Sequence, residues 1–358
     1  MPEPGDSLDR AAEILRAAVS GGRVPGAVAA AGKSETVLAT WAVGRADTMA
    51  GPGRSMRADT RFDLASLTKA VGTAAAVLAL AGRSVIGLDD PAGRYLPSFG
   101  ALRAVTIRQL LSHTSGLPGT RKFYQWCEAP EELLRDLAAT PLEAAPGTRM
   151  VYSDLGFMAL GQMVSAVTGE PLDSAIGHLV TGPLGMTRTG YKPAVHDGDF
   201  AATERRSDGT AWTGVVHDEN ARLMGGVAGH AGLFAPAADL VAFAVWWVSR
   251  DDRVVPAVLR REAERCQTAR LGGCRGLGWV CQGDSFDILR GRWPSGSVSH
   301  TGFTGTSLAL DSASGTWLVL LTNSLHYGRV PEHIRALRRE FHAALAPARS
   351  ANPTRPKI

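Results

Sequence analysis

Strand-forming residues cluster at the two ends of this chain, and a long helical middle separates them, so any single sheet must be assembled from segments far apart in sequence. Near the start, Leu8, Ala11, Ala12, Ile14, Leu15, Ala18 and Val19 recur at helical spacing over residues 8–20. Two runs then read as paired strands, Gly26-Ala27-Val28-Ala29-Ala30-Ala31 and Thr36 to Val43. The strand signal returns at Leu277-Gly278-Trp279-Val280, Ser297-Val298-Ser299-His300, Thr306 to Asp311 and Thr316 to Thr322, ahead of a last helix near 331–345. The short turn Ser312-Ala313-Ser314-Gly315 makes the late strands antiparallel, and the early hairpin completes their sheet. Residues 66–250 carry helical patterns broken by turns such as Ser115-Gly116-Leu117-Pro118 and Ala145-Pro146-Gly147. The expectation is an α+β chain with one domain over 1–348. Its sheet part spans about 1–65 and 255–348, and its helical part spans about 66–254. Residues 349–358, with two prolines and few apolar side chains, read as a flexible tail.

At 358 residues with 45% hydrophobic and 20% charged side chains, the chain can bury a substantial core. The net charge of +4 is spread along the sequence, which argues against nucleic acid as a partner. No apolar run approaches the roughly 18 to 20 residues that span a bilayer, and Met1 to Asp6 is acidic rather than a basic leader, so a cytoplasmic protein without membrane contact is expected. Cys127, Cys266, Cys274 and Cys281 include no Cys-x-x-Cys pair and read as buried free thiols. His113, His217 and His230 lack ligand spacing and read as structural. No metal or cofactor is expected, and the sequence is silent on oligomeric state.

The chemistry centres on Ser66-Leu67-Thr68-Lys69, at the point where Phe62-Asp63-Leu64-Ala65 gives way to the apolar run Ala70 to Leu78. Two side chains three apart share one helix face, so the amine can reach the hydroxyl and activate it as a nucleophile. Such a pair is common on solvated helices. Here, however, lysine is scarce, with five among 38 lysine and arginine residues, and Lys69 enters an apolar helix start. Farther on, Tyr152-Ser153-Asp154 places a phenol and a carboxylate at a turn before the helical run Leu155 to Gly161, and His300-Thr301-Gly302 ends a strand.

Together these three segments resemble the motifs of the serine β-lactamase and penicillin-binding protein superfamily, closest to its class C-like esterase and transacylase branch. Further matches lie in family order at Asp89-Asp90-Pro91 through Tyr95-Leu96-Pro97, Leu110 to Pro118, and Gly229-His230-Ala231-Gly232-Leu233-Phe234, so the resemblance covers about residues 10–345. It implies a β-lactamase/transpeptidase-like fold, with an antiparallel sheet flanked by helices, an all-helical subdomain, and the active site in the cleft between them. It also implies that Ser66 is acylated while Lys69 and Tyr152 exchange its proton. The oxyanion would lie between the backbone N–H groups of Ser66 and Phe303, and Thr301 and Gly302 would align the substrate, with Gly302 and Gly305 permitting its close approach.

Two positions depart from the common pattern. His300 stands where many relatives carry a lysine that attracts a substrate carboxylate, which makes the esterase-like members the better guide. Asp154 replaces an asparagine and, beside Lys69, would hold the amine protonated and shift the relay toward Tyr152. Trp212, Tyr124 and Trp126 read as packing anchors or pocket walls. The expected activity is serine-dependent acyl transfer from a small-molecule donor, foremost hydrolysis of a small ester or amide. Two alternatives are transfer to an amine or alcohol in secondary-metabolite biosynthesis, without ATP, and a catalytically silent binding domain.

Overall fold

The computed structural model describes residues 4–49, 53–194 and 200–347. The segment 349–358, expected as a tail, lies outside the described residues. A seven-stranded antiparallel sheet is built from both ends of the chain, in the order β3-β2-β1-β9-β8-β7-β6. Its members are β1 (Gly26–Lys33), β2 (Thr36–Asp47), β3 (Arg54–Ser55), β6 (Val280–Cys281), β7 (Val298–Thr301), β8 (Ser307–Asp311) and β9 (Thr316–Thr322). The junction between the ends is the β1–β9 pair, in register from Ala27 opposite Thr322 to Lys33 opposite Thr316.

The centre of the sheet is buried on both faces, which is why β1 is small and apolar from Gly26 to Gly32, up to the exposed Lys33 at its end, rather than alternating with polar residues. Ala27, Ala29 and Ala31 join Leu318 and Leu320 against the N-terminal helix Pro4–Ser20 and the C-terminal helix Pro331–Ala344. Val28 and Ala30, with Trp317, Val319 and Leu321, face the larger core beneath the helical part. The helix Ala237–Val248, which the sequence pattern groups with the helical middle, packs on β1, β8 and β9 instead. Its aromatic residues Phe243 and Trp247 meet Trp279 there, and Trp246 packs edge-on against both of them.

Two local features differ from expectation. Leu277 and Gly278 do not extend a strand, because Gly278 turns the chain with φ +81° and only Val280 and Cys281 pair with β7. The helical middle is also entered and left through a two-stranded sheet, β4 (Arg61–Asp63) with β5 (Phe234–Pro236). That small sheet sets the position of the turn carrying Ser66. Among the described residues, no helix is long and apolar enough to cross a membrane.

Candidate active site

The turn after β4 is latched at several points. The Asp63 carboxylate accepts hydrogen bonds from the backbone N–H of Ala65 (2.8 Å) and of His217 (2.7 Å). The Asp63 and Leu64 carbonyls accept from the hydroxyls of Thr304 (2.7 Å) and Thr306 (3.0 Å). Burial pushes the Asp63 carboxyl up, against the pull of the two N–H donors. The latches hold Ala65 in the left-handed region, φ +46°, a conformation that costs energy for a residue with a Cβ and is retained here immediately before Ser66. The helix then opens with a π-helical turn, Lys69–Ala74, and continues as the α-helix Ala75–Gly82.

Lys69 is wholly buried, and its amine reaches three oxygens: Ser66 Oγ and the His230 carbonyl at 2.9 Å each, and Asp154 Oδ1 at 2.8 Å. An ammonium has three protons to give, and Tyr152 joins these oxygens as a further hydrogen-bonding partner of the amine. Burial opposes the charge, but the Asp154 carboxylate and Tyr152 outweigh it and hold the amine above its ordinary value. The His230 carbonyl is itself positioned, since the His230 ring Nε2 lies 2.9 Å from Asp218 Oδ1.

Tyr152 and Asp154 are placed by the segment Leu110 to Pro118 and by Gly119. Val151 N–H donates to the His113 carbonyl, Ser153 N–H to His113 Nδ1 (3.0 Å), and Asp154 N–H to the Gly119 carbonyl. Ser153 caps the helix Asp154–Thr168 by accepting from Gly156 N–H, and Asp154 occupies the first helical turn, where the helix dipole favours a carboxylate. The His113 ring lies 4.6 Å from the Tyr152 ring, and burial together with Arg275, Lys69 and His300 keeps His113 neutral, well below its ordinary value.

His300 is also buried and neutral. Burial, followed by the charges of Lys69 and Arg275, holds it well below its ordinary value. Its Nδ1 lies 3.1 Å from the Thr301 carbonyl, which leaves Nε2 as a buried acceptor without a partner among the described residues. The lysine-like role of a fixed cation is therefore absent at this position. β6 pairs only with Val298 and Ser299, so the cleft-side edge of His300 and Thr301 is uncovered.

Ser66, Tyr152, His300, Thr301, Gly302 and Phe303 line one cleft of about 220 Å³. Lys69 and Asp154 lie behind Ser66 and do not line it. The backbone N–H groups of Ser66 and Phe303 donate to no other protein group among the described residues. Gly302 answers to protein packing: a Cβ there would stand 2.1 Å from Thr306 Oγ1 and 2.2 Å from the Leu64 carbonyl. The same holds for Gly305, at φ +113°, whose Cβ would meet Thr322 Oγ1 at 2.1 Å. Gly302 thus lets the chain after β7 press on the Ser66 turn, and Gly305 lets it pass the end of β9; Gly302 also lines the cleft, where the sequence reading has both glycines admit the substrate. Tyr124, Trp126 and Trp212 lie away from the cleft. Trp126 bonds Asp136, and Trp212 lies between Arg206 and Arg222.

Sequence reasoning did not single out Arg275, Asp284 or Asp218, since none belongs to a local motif. Apolar walls from Val280, Phe286, Leu325, Val330 and Ile334 complete the cleft, joined by Arg329, Arg335 and Arg338.

Residues 11–343 match the Beta-lactamase family. A Bacillus subtilis (strain 168) relative, N-acetylmuramyl-L-alanine amidase, is 32% identical over 306 residues, covering 76% of this chain and 69% of its own. Among solved structures, EstCE1, titled a hydrolase with promiscuous acyltransferase activity, aligns with TM-score 0.75 at 24% identity, over 94% of this chain and 99% of its own. Unliganded simvastatin synthase (LovD) from Aspergillus terreus aligns with TM-score 0.74 at 22% identity, over 95% and 98%. With the Ser66 turn, the buried lysine and the antiparallel sheet in place, the match over nearly the whole length settles the family: this chain belongs to the Beta-lactamase family.

Proposed function

We propose that this chain is a serine acyl-transfer enzyme that forms an acyl-enzyme on Ser66 and foremost hydrolyses a small ester or amide. The observation that carries the reading is the buried Lys69, whose amine holds Ser66 Oγ, Asp154 and the His230 carbonyl at 2.8 to 2.9 Å. Because Lys69 donates to Ser66 Oγ, the serine's own proton is left for another acceptor. With Lys69 held as an ammonium, Tyr152 is the group in the cleft suited to take that proton and return it to the leaving group. Tyr152 enters that step as the phenolate, becomes the neutral phenol on taking the Ser66 proton, and gives that proton to the leaving group, while the Lys69 ammonium holds the nucleophile in place. The N–H groups of Ser66 and Phe303 would receive the oxyanion, each such donor being typically worth about 3 to 4 kcal/mol. A complete set of Ser66, Lys69 and Tyr152 counts against a silent binding domain.

Neutral His300 offers no charge to a substrate carboxylate, which favours uncharged esters and amides over peptide C-termini at that position. A second reading, transfer of the acyl group to a bound alcohol or amine, is favoured by one feature of the cleft. Among the described residues no aspartate or glutamate lines it, and most of its wall area is apolar, which suits an acyl-enzyme shielded from water. The fold neighbours titled simvastatin synthase and hydrolase with promiscuous acyltransferase activity are consistent with that option.

Intact mass after mixing with p-nitrophenyl butyrate tests both readings. A butyryl adduct on the native chain and none on Ser66→Ala is expected. Discharge to free acid regardless of added amines or alcohols supports the hydrolase; discharge into an amide or ester supports transfer; no adduct on the native chain rejects both.

A further inference from the structure

The cation that His300 does not supply is found elsewhere in the cleft. Arg275 comes from the bend before β6, and its guanidinium carbon lies 5.3 Å from the Tyr152 ring centroid and 5.1 Å from that of Phe286. The two rings are themselves stacked, 5.8 Å apart with 29° between their planes. Arg275 is only 1% exposed, and its pair with the fully buried Asp284 is bidentate, Nε at 3.0 Å and Nη2 at 2.9 Å. Asp284 also accepts from the N–H groups of Cys274 (3.1 Å) and Phe286 (2.9 Å), so one carboxylate fixes the arginine and the aromatic residue beside it. The Arg275 backbone is tied down too, its N–H donating to Thr268 Oγ1 and its carbonyl accepting from Gln267 N–H. The remaining nitrogen, Nη1, has no hydrogen-bond partner among the described residues, and Arg275 lines the cleft with Ser66.

We propose that Arg275, locked by Asp284, is a positioning residue for Tyr152: it holds the phenol ring against Phe286 and stabilises the negative charge that the Tyr152 oxygen must carry in order to take the Ser66 proton, a charge neutralised when the proton arrives. This inference rests on the reading of Tyr152 as the proton carrier.

The charged and titratable groups facing Tyr152 come from five elements. They are Lys69 on the helix after Ser66, His113 on the segment that cradles Tyr152, Asp154 at the start of the following helix, His300 on β7, and Arg275. His113 and His300 are neutral, and the Lys69 charge is shared with Asp154. Arg275 is thus the second cation at the ring. Its own carboxylate partner is bound on the Nε/Nη2 edge, which leaves Nη1 uncommitted. A planar guanidinium can stack on a ring and hold a carboxylate bidentately at once, which a lysine cannot do.

The test uses Arg275→Lys and the paired variant Arg275→Met/Asp284→Asn. Removing the arginine alone would leave a buried carboxylate uncompensated and destabilise the fold, whereas the double change removes both charges. Each is compared with the native chain and Ser66→Ala for acylation by p-nitrophenyl butyrate across pH, and for the phenolate ultraviolet absorbance of Tyr152, isolated by subtracting Tyr152→Phe. The double variant is expected to fold, to lose about tenfold in kcat/KM with KM unchanged, and to move both the acid limb of the profile and the phenol titration about one unit to higher pH. Arg275→Lys is expected to recover part of each. An unchanged profile and titration in the folded double variant overturns the proposal, as does a loss confined to KM, which would make Arg275 a substrate contact. Should the native chain not be acylated at Ser66, the function reading fails on that arm. The phenol titration then decides the Arg275 proposal, which a shift supports and no shift overturns.

Discussion

Lys69 and Asp154 form a contact whose consequence is a protonation state. The carboxylate 2.8 Å from the amine outweighs the burial that would otherwise neutralise it, so Lys69 remains a cation. Asp154→Asn removes that charge and lets burial act, so the amine gives up its proton at lower pH. The expected result is a folded protein whose alkaline limb of kcat/KM moves to lower pH; an unchanged profile would remove Asp154 from the relay. Tyr152→Phe tests the proton carrier, with a loss of about a hundredfold or more in acylation rate and little change in melting temperature. A rate within twofold of the native chain would transfer the role to Lys69.

At the scale of elements, the site is an agreement between the end of β7 and the turn after β4. Gly302 lies where the two meet, with no room for a methyl group beside Thr306 and the Leu64 carbonyl. Gly302→Ala must therefore push β7 away from Ser66. The prediction is a loss of activity together with a drop of several degrees in melting temperature, read against Gly100→Ala, where a Cβ meets nothing within 4 Å. Equal melting temperatures for the two variants would show that the loop yields without cost. The expected strand at Leu277 to Val280 shrinks for a related reason: Gly278 bends the chain there, and the bend brings Arg275 over Tyr152. Hydrophobicity along that segment carries no sign of either event.

The whole molecule buries several neutral histidines, and this links its stability to pH. Burial pushes His342 down to about 4, and His113 and His300 lie well below their ordinary value. Between the ordinary histidine value near 6.5 and about 4, the unfolded chain binds more protons than the folded one, so stability falls as the pH drops through that window. The melting temperature is expected to decline from pH 7 to pH 5, and to decline less steeply in His342→Gln. That side chain lies on the C-terminal helix, with Nδ1 2.7 Å from the Arg338 carbonyl, and does not line the Ser66 cleft, so activity at pH 7 is expected to persist. Equal slopes for the native chain and His342→Gln would exclude it as a contributor.

What the sequence by itself determined is whatever short-range spacing can encode: the Ser66/Lys69 pair at a helix start, Tyr152 and Asp154 at the start of the next motif's helix, the His300-Thr301-Gly302 strand end, and the strand-forming and helical runs that divide the sheet between the chain's two ends. These depend on neighbours a few residues away, and their geometry survives in any fold that keeps the local element. Only the tertiary structure decided the rest. It joined β1 to β9, placed the helix Ala237–Val248 on the sheet, and packed Gly302 and Gly305, just after β7, against neighbouring chain. It set His300 neutral, and it carried Arg275 and Asp284 from an unremarkable bend to the ring of Tyr152. Burial and charge at a point depend on which distant segments converge there, and no window of the sequence holds that sum.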